Sequence, residues 1–406
     1  MRKGHEIARG KTKVLFELEG QPDMAVVISG DAITAGDGAR RDVMDGKGRI
    51  AAQTTSRVFR LLNLVGLPTH YHNGGEDDDD NEMLVRRCQM LPLEVVVRGI
   101  AAGSFARRHP EVPRGAVMMP RVIEFFLKDD ANHDPLITPA EIVARRIASA
   151  DEISTMSEYA RLTYEILAHA WGRRDVTLVD LKVEFGRLAS GENKGSLVLA
   201  DVIDNDSWRI WPQGREDLAL DKQNYRNLES VTEDALERIK DDYETVAQMV
   251  GSFPQLRQEV VAVMIDGPEY LEAGDAFVRA LGRFGLSVVR QVVSAGRMPE
   301  HTANVAASVD ANFRRQRLVF AAVGPSDSAL PQLLEHATGE PVVRVDVGGR
   351  TLDEPAMRCA RVIGLDDTVI YGRVLLADAQ ARTQVLTVNA QLNAPPAPPN
   401  PGSAFA

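Results

Sequence analysis

The chain has 406 residues and a formal net charge of −11, long enough for two domains with separate cores and too acidic for a nucleic-acid partner, which would need a basic face. No apolar run approaches the roughly 20 residues of a membrane helix, and the start M-R-K-G-H-E lacks a signal-peptide core, so no membrane partner and a cytoplasmic location are expected. The two cysteines, Cys88 and Cys359, lie far apart without metal-site spacing and are expected to be reduced.

In chain order, R-G-K-T-K-V-L-F-E (Arg9 to Glu17) predicts a strand around a glycine-basic turn, which can lay N–H groups and ammonium charge against phosphates. It lacks P-loop spacing. D-A-I-T-A-G-D-G-A-R-R (Asp31 to Arg41) reads as a polar, glycine-punctuated loop, and Glu76 to Asp80 as a solvated carboxylate run. Glu82 to Arg108 holds two strand-like runs that open into a loop with Arg98, Gly103, Ser104, Arg107 and Arg108, a composition that suits a phosphate or carboxylate. F-F-L-K-D-D-A-N-H-D-P (Phe125 to Pro135) follows as a charged loop after an apolar strand. Helical spacing of Ile153, Met156, Ala160, Tyr164 and Leu167 predicts a helix over Ile153 to Trp171.

V-D-L-K-V-E-F-G (Val179 to Gly186) is the most informative segment. Period-two alternation sets Val179, Leu181, Val183 and Phe185 on one face and Asp180, Lys182 and Glu184 on the other. The turn A-S-G-E-N-K-G leads into the strand S-L-V-L-A-D-V, and pairing Leu188 with Leu197 would set Glu184 opposite Asp201. Like charges at about 4.5–5.5 Å across a ladder are unfavourable alone. Two readings stand: a divalent cation shared by the pair, or a polar hairpin face satisfied by Lys182. A further helix is predicted from the N-cap Thr232 to about Val250, with a short linker at Gly251 to Gln255.

The second half changes character. Buried-strand runs at Val260–Gly267, Leu286–Gly296, Arg317–Gly324 and Pro341–Val347 alternate with helical stretches, which predicts a doubly wound parallel sheet. Its strand ends read I-D-G-P, V-S-A-G-R and V-G-P-S-D-S. A Pro-rich tail, expected to be disordered, closes the chain.

Seven motifs in family order, R-G-K-T-K, I-T-A-G-D-G-A-R, V-V-R-G-I-A-A-G-S-F, F-F-L-K-D-D-A-N-H-D-P, L-V-D-L-K-V-E-F-G, L-A-D-V-I-D-N-D-S-W-R-I-W-P and D-K-Q-N-Y-R, resemble the signatures of SAICAR synthetase (phosphoribosylaminoimidazole-succinocarboxamide synthase) of purine biosynthesis. The resemblance is to the animal-like type, fused to a carboxylase. It implies domains at 1–252 (antiparallel sheets with helices around an ATP cleft) and 256–392 (doubly wound α/β), with the tail at 393–406. It also implies ligation of L-aspartate to carboxyaminoimidazole ribonucleotide with ATP and Mg²⁺.

Carried over by motif, Lys11 and Lys13 face ATP phosphates and the backbone near Met90 meets adenine. Glu184 and Asp201 hold the metal, and Lys182 stabilises charge on the transferring group. Arg98, Ser104 and Arg209 bind the ribonucleotide; Lys128, Asp129 and Asp134 shape the substrate pocket; Asp37 and Arg40 belong to its rim; and Asp180 orients Lys182.

Val260 to about Leu392 resembles a decayed aminoimidazole ribonucleotide carboxylase domain. I-D-G-P-E-Y stands where the family has a phosphate-cradling G-S-x-S-D, and S-A-G-R places Gly296 at the family's histidine. A positioned acid–base side chain contributes roughly 100- to 10,000-fold, and glycine has none. His301, five residues on, is not expected to substitute. The domain then serves as an oligomerisation core (a homo-oligomer is expected) or an allosteric site. The alternatives are a bifunctional ligase and carboxylase, a non-catalytic scaffold, or a general kinase.

Overall fold

The computed structural model describes residues 2–35, 39–77, 80–253, 260–313, 318–340, 342–348 and 351–392. The tail, Asp37 and the last two residues of the expected linker, 254 and 255, lie outside the described residues.

Alternating apolar and polar residues in the first half give antiparallel pairing with one face buried. One five-stranded sheet runs in the order Lys3–Arg9, Lys13–Leu18, Gln21–Ser29, Glu82–Arg86, Tyr71–Asn73. The glycine-basic turn joins its first two strands, with Gly10 N–H bonded to the Lys13 carbonyl at 2.9 Å. A six-stranded sheet is ordered Leu136–Ile137, Val117–Leu127, Cys88–Ile100, Val176–Leu188, Leu197–Ala200, and Trp208–Pro212 also pairs with Val176–Leu188. The helix Ala150–Gly172, started by a capping box of Ser149 and Glu152, buries the predicted stripe of Ile153, Met156, Ala160, Tyr164 and Leu167 against this sheet. The helix Glu233–Val250 begins at the expected cap, where the Thr232 hydroxyl accepts from Ala235 N–H at 3.2 Å.

Val176–Leu188 departs from the expected alternation at one point. Leu181, Val183 and Phe185 enter the main core. Val179 instead packs with Ala102, Trp211 and Ala219, because the ladder to Trp208–Pro212 slips between Leu178 and Asp180. The hairpin register also differs by one residue. Arg187 pairs with Leu197, so Glu184 stands opposite Ala200, not Asp201. The turn closes tightly, with Gly195 N–H on the Leu188 carbonyl at 2.9 Å, and that fixes the register. The carboxylate run at Glu76 to Asp80 is also tied down at its ends. Glu76 accepts from Arg60 at 2.6 Å and from the Tyr71 hydroxyl at 3.0 Å, while Asp80 accepts from Gly75 N–H at 2.9 Å.

The second half forms a parallel sheet ordered Ser287–Val293, Val260–Asp266, Leu318–Gly324, Val342–Asp346, as the alternation of strands and helices predicts. Two further helices, Asp353–Gly364 and Thr368–Leu392, escaped sequence reading. The last one runs back to the first half. Val369 and Ala379 enter the first core, and Ile370 and Val374 enter the second. Arg373 bonds the Leu64 carbonyl at 3.0 Å and the Phe284 carbonyl at 2.8 Å, bridging both halves. A helix that sends apolar side chains to two cores lacks the one-sided stripe that marks an amphipathic helix.

Candidate functional site

Strand Val176–Leu188 carries Asp180, Lys182 and Glu184 into a cleft of about 620 Å³. The glycine-basic turn lines it from the other sheet, with Lys11 and Lys13, and Lys128, Asp134, Asp201 and Arg209 close it.

At one end the charges form a tight lattice. Glu184, 2 % exposed, accepts from Lys128 at 2.7 Å and Lys182 at 2.8 Å. Lys182 also pairs with Glu94 at 3.3 Å. Lys13 is ion-paired with Asp201, whose left-handed backbone (φ 65°) ends the hairpin strand. Burial opposes charge on Lys182, but Glu184, Glu94 and Asp201 outweigh it and hold the ammonium well above its usual range. Burial likewise works against the Asp201 carboxylate, and Lys13 and Lys182 overcome it, pulling its pKa down. Lys182 and Asp201 therefore both stay charged.

Glu94 is the residue that sequence reading missed here. It sits directly across the ladder from Glu184. The period-two run Glu94, Val96, Arg98 was the available signal.

The other end is built on Arg98, 3 % exposed. It bonds Ser104 Oγ at 3.3 Å and Asp180 Oδ2 at 3.2 Å, and is ion-paired with Glu124. Arg209 reaches the same Asp180 oxygen at 2.5 Å. Asp180 thus orients two arginines instead of Lys182, the partner expected from sequence, because Lys182 points to the glutamates. A Cβ at Gly103 (φ +53°) would lie 2.2 Å from the Arg209 guanidinium, so only glycine lets that plane rest on the loop.

Other expected residues lie at or beyond the margin. Lys11 pairs with Asp130 at 2.8 Å. Asp134 Oδ1 accepts from Asp129 N–H at 2.7 Å, and Asp129 is not among the cleft-lining residues. Arg40 turns away from the cleft and bonds the carbonyls of Tyr225 (3.2 Å) and Leu228 (2.9 Å).

A second buried charge cluster borders the cleft and had no sequence signal beyond the D-N-D of its motif. Asp206 accepts from Lys222 at 3.0 Å and from the Tyr243 hydroxyl at 3.0 Å, with Lys47 at 3.5 Å. Burial lowers the pKa of Lys222 despite Asp206, and burial beside Asp206 raises that of Asp204.

Beside the cleft lies an apolar slot of about 190 Å³, lined by Leu15, Ala25, Val85 and Met90 and meeting the cleft at Asp201. His70 also lines it, and burial pushes its imidazole down to about 4.

Among the described residues no group of three or more His, Cys, Asp or Glu side chains is placed to hold a metal. Mg²⁺ needs less, taking one or two carboxylates plus substrate phosphates, and Glu184 and Asp201 offer hard oxygen donors in one cleft. Among the described residues no helix is long and apolar enough to cross a membrane. Neither cysteine is in a disulfide, and burial raises the Cys88 thiol to about 11 and the Cys359 thiol to about 12.

The pattern of the SAICAR synthetase family matches residues 6–242. The phosphoribosylaminoimidazole-succinocarboxamide synthase of Herpetosiphon aurantiacus is 49 % identical over 253 residues, covering 62 % of this chain and 100 % of that one. A bifunctional phosphoribosylaminoimidazole carboxylase/succinocarboxamide synthetase of Drosophila melanogaster is 33 % identical over 389 residues, covering 92 % of this chain and 89 % of its own. A solved SAICAR synthetase in complex with ADP is 32 % identical, with a TM-score of 0.51 over 59 % of this chain and 97 % of that one. The cleft, the order of its motifs and these likenesses agree: the chain belongs to the SAICAR synthetase family.

Proposed function

We propose that the protein joins L-aspartate to carboxyaminoimidazole ribonucleotide at the expense of ATP, giving SAICAR, ADP and phosphate in purine biosynthesis. The observation that carries this reading is one cleft holding an ammonium–carboxylate lattice at one end and an arginine–serine pair at the other. A carboxylate is a poor acyl donor. Its oxygen therefore attacks the γ-phosphorus of ATP, the bond to the bridging oxygen breaks, and ADP leaves with that electron pair. The aspartate amine then attacks the acyl carbon, loses a proton, and phosphate departs.

Such transfers need alignment and charge neutralisation more than covalent help. Lys11 and Lys13 take the ATP phosphates, and Lys182 faces the oxygens that gain charge. Arg98, Ser104 and Arg209 hold the ribonucleotide phosphate, with Asp180 keeping both guanidinium planes fixed. Lys128 and Asp134 line the pocket for aspartate, with Asp129 held behind Asp134. Glu184 and Asp201 would hold Mg²⁺, which when bound neutralises phosphate charge. Met90 and the apolar slot receive the adenine. These assignments make residues 1–252 the ligase domain.

The second domain, 256–392, is proposed as a carboxylase-like unit without catalysis, serving assembly of a cytoplasmic homo-oligomer. Gly296 offers no proton-transfer group, and His301 is exposed on the helix Pro299–Phe313. At the strand end, Asp266 accepts from Ala295 N–H at 2.9 Å and from the Ser328 hydroxyl, so a carboxylate already takes the donors there.

The test supplies ATP, Mg²⁺ and L-aspartate with either the carboxylated ribonucleotide or its uncarboxylated precursor and bicarbonate. Product from the carboxylated substrate alone is expected. Product from both would establish a working carboxylase, and product from neither would remove the ligase reading.

A further inference from the structure

Glu94 stands directly across the ladder from Glu184, while Lys182 stands across from Val96. Lys182 is therefore the diagonal neighbour of Glu94 on one face of the sheet, a separation that a long side chain spans. Its ammonium lies between the two carboxylates, 2.8 Å from Glu184 and 3.3 Å from Glu94. Val96, the residue directly opposite, has no polar side-chain atom to compete for it.

The two carboxylates differ in what else they hold. Glu184 is buried and shared, since Lys128 reaches it at 2.7 Å as well. Glu94 is half-buried, lines the cleft, and among the described residues is ion-paired with Lys182 alone. Two other carboxylates of the cleft are committed elsewhere, Asp180 to Arg98 and Arg209, and Asp201 to Lys13. If Glu184 turns to a cation, Glu94 is the partner that Lys182 keeps. That matters because an ammonium on a flexible four-carbon stem has no fixed direction of its own.

Resting on the reading that Glu184 and Asp201 take Mg²⁺ and that Lys182 faces the transferring group, we propose that Glu94 is a positioning residue. It holds the Lys182 ammonium at its place in the cleft after Glu184 has given up its share. Glu94 then acts on alignment in the transition state, through Lys182, and not on the binding of nucleotide or metal.

The test uses the full chain with ATP, Mg²⁺, L-aspartate and the carboxylated ribonucleotide. Glu94→Gln, of the same shape, should lower kcat by roughly 10- to 100-fold, the effect of a small misplacement of an aligned group. KM for ATP, aspartate and the ribonucleotide should stay within about twofold, because the interaction lost belongs to the transition state. In a Lys182→Met background, Glu94→Gln should add less than about twofold, since the group it positions is gone. An unchanged kcat in Glu94→Gln, or losses that multiply in the double variant, would overturn the proposal. Should Glu94→Gln not fold, Glu94→Met answers by the same criteria. A second readout needs no turnover: Mn²⁺ affinity, titrated by electron paramagnetic resonance with a non-hydrolysable ATP analogue bound. It should be unchanged in Glu94→Gln and weakened in Glu184→Gln. Weaker Mn²⁺ binding in Glu94→Gln would make Glu94 a metal ligand and overturn the positioning role alone. Unchanged binding in Glu184→Gln would overturn the metal reading and the proposal together.

Discussion

Two strands of this molecule each carry a carboxylate taken up by neighbouring donors, Glu184 buried and Asp266 half-buried, and the two are satisfied in opposite ways. Glu184 is met by the ammonium groups of Lys128 and Lys182, at the ends of long side chains. Asp266 is met by the Ala295 backbone N–H and the Ser328 hydroxyl, both fixed by loops. An ammonium can swing to an incoming phosphate and leave its carboxylate to another partner, whereas a backbone N–H stays where the fold puts it. The first arrangement is exchangeable and suits turnover. The second is a staple that holds three strand-end loops together, with Ser328 Oγ also accepting from Leu330 N–H at 3.1 Å.

The largest expected effect breaks the first arrangement. Glu184→Gln keeps the shape but removes the charge facing two lysines. Ligase kcat should fall by roughly 100- to 1,000-fold, the size seen when one preorganised electrostatic group is lost. A fall below tenfold would show that Glu184 is only a structural partner of Lys182. Removal of Thr368–Leu392 tests whether the two halves can be compared as separate units at all. That helix buries Val369 and Ala379 in the first core, and the Val side chain alone contributes about 1.5–3 kcal/mol. A chain ending before it should melt at lower temperature in the ligase half as well as in the second. An unchanged ligase melting transition would mean that the helix merely rests on its surface. Asp266→Ala is a smaller lesion, leaving Ala295 N–H and the Ser328 hydroxyl unpaired at about 1–3 kcal/mol in the second domain. Ligase kinetics should not change, and a drop in ligase kcat would make the staple part of the catalytic unit.

How much of this was legible follows from what kind of order each feature needs. The charged face of Asp180, Lys182 and Glu184 is a local period-two pattern, and the parallel sheet is a run of apolar segments, so both were readable. The one-residue register shift at Glu184 was not, because it depends on how the turn before Gly195 closes. Glu94 was missed although its own strand alternates, since its meaning comes from the strand opposite. Lys47 and His70 sit in no motif at all; only tertiary packing brings the first to Asp206 and the second to the slot. The closing helix was hidden by the two cores it serves.

The subtlest prediction concerns how that helix is held. His169 stacks on Tyr371 with ring centroids 4.1 Å apart and planes at 13°, and its Nδ1 lies 3.0 Å from Thr368 Oγ1. Burial first, and then the Arg173 guanidinium, lower its pKa below the usual 6.5. The folded state therefore binds this proton less readily than the unfolded chain. Stability from the neutral ring is fully present above pH 6.5 and is lost as the pH falls through the lower folded value. Arg173 adds to the effect, because it is anchored on the Leu365 carbonyl at 3.0 Å and on Asp366 at 2.9 Å and cannot move off. Asp367, just before the closing helix, softens the loss without reversing it. Acidification from pH 7 to 5 should thus loosen the helix before either core unfolds, read as lower amide protection factors over residues 368–379. His169→Gln should flatten that pH dependence. Equal protection factors at both pH values in the wild-type chain would show that the His169 contact does not hold the helix.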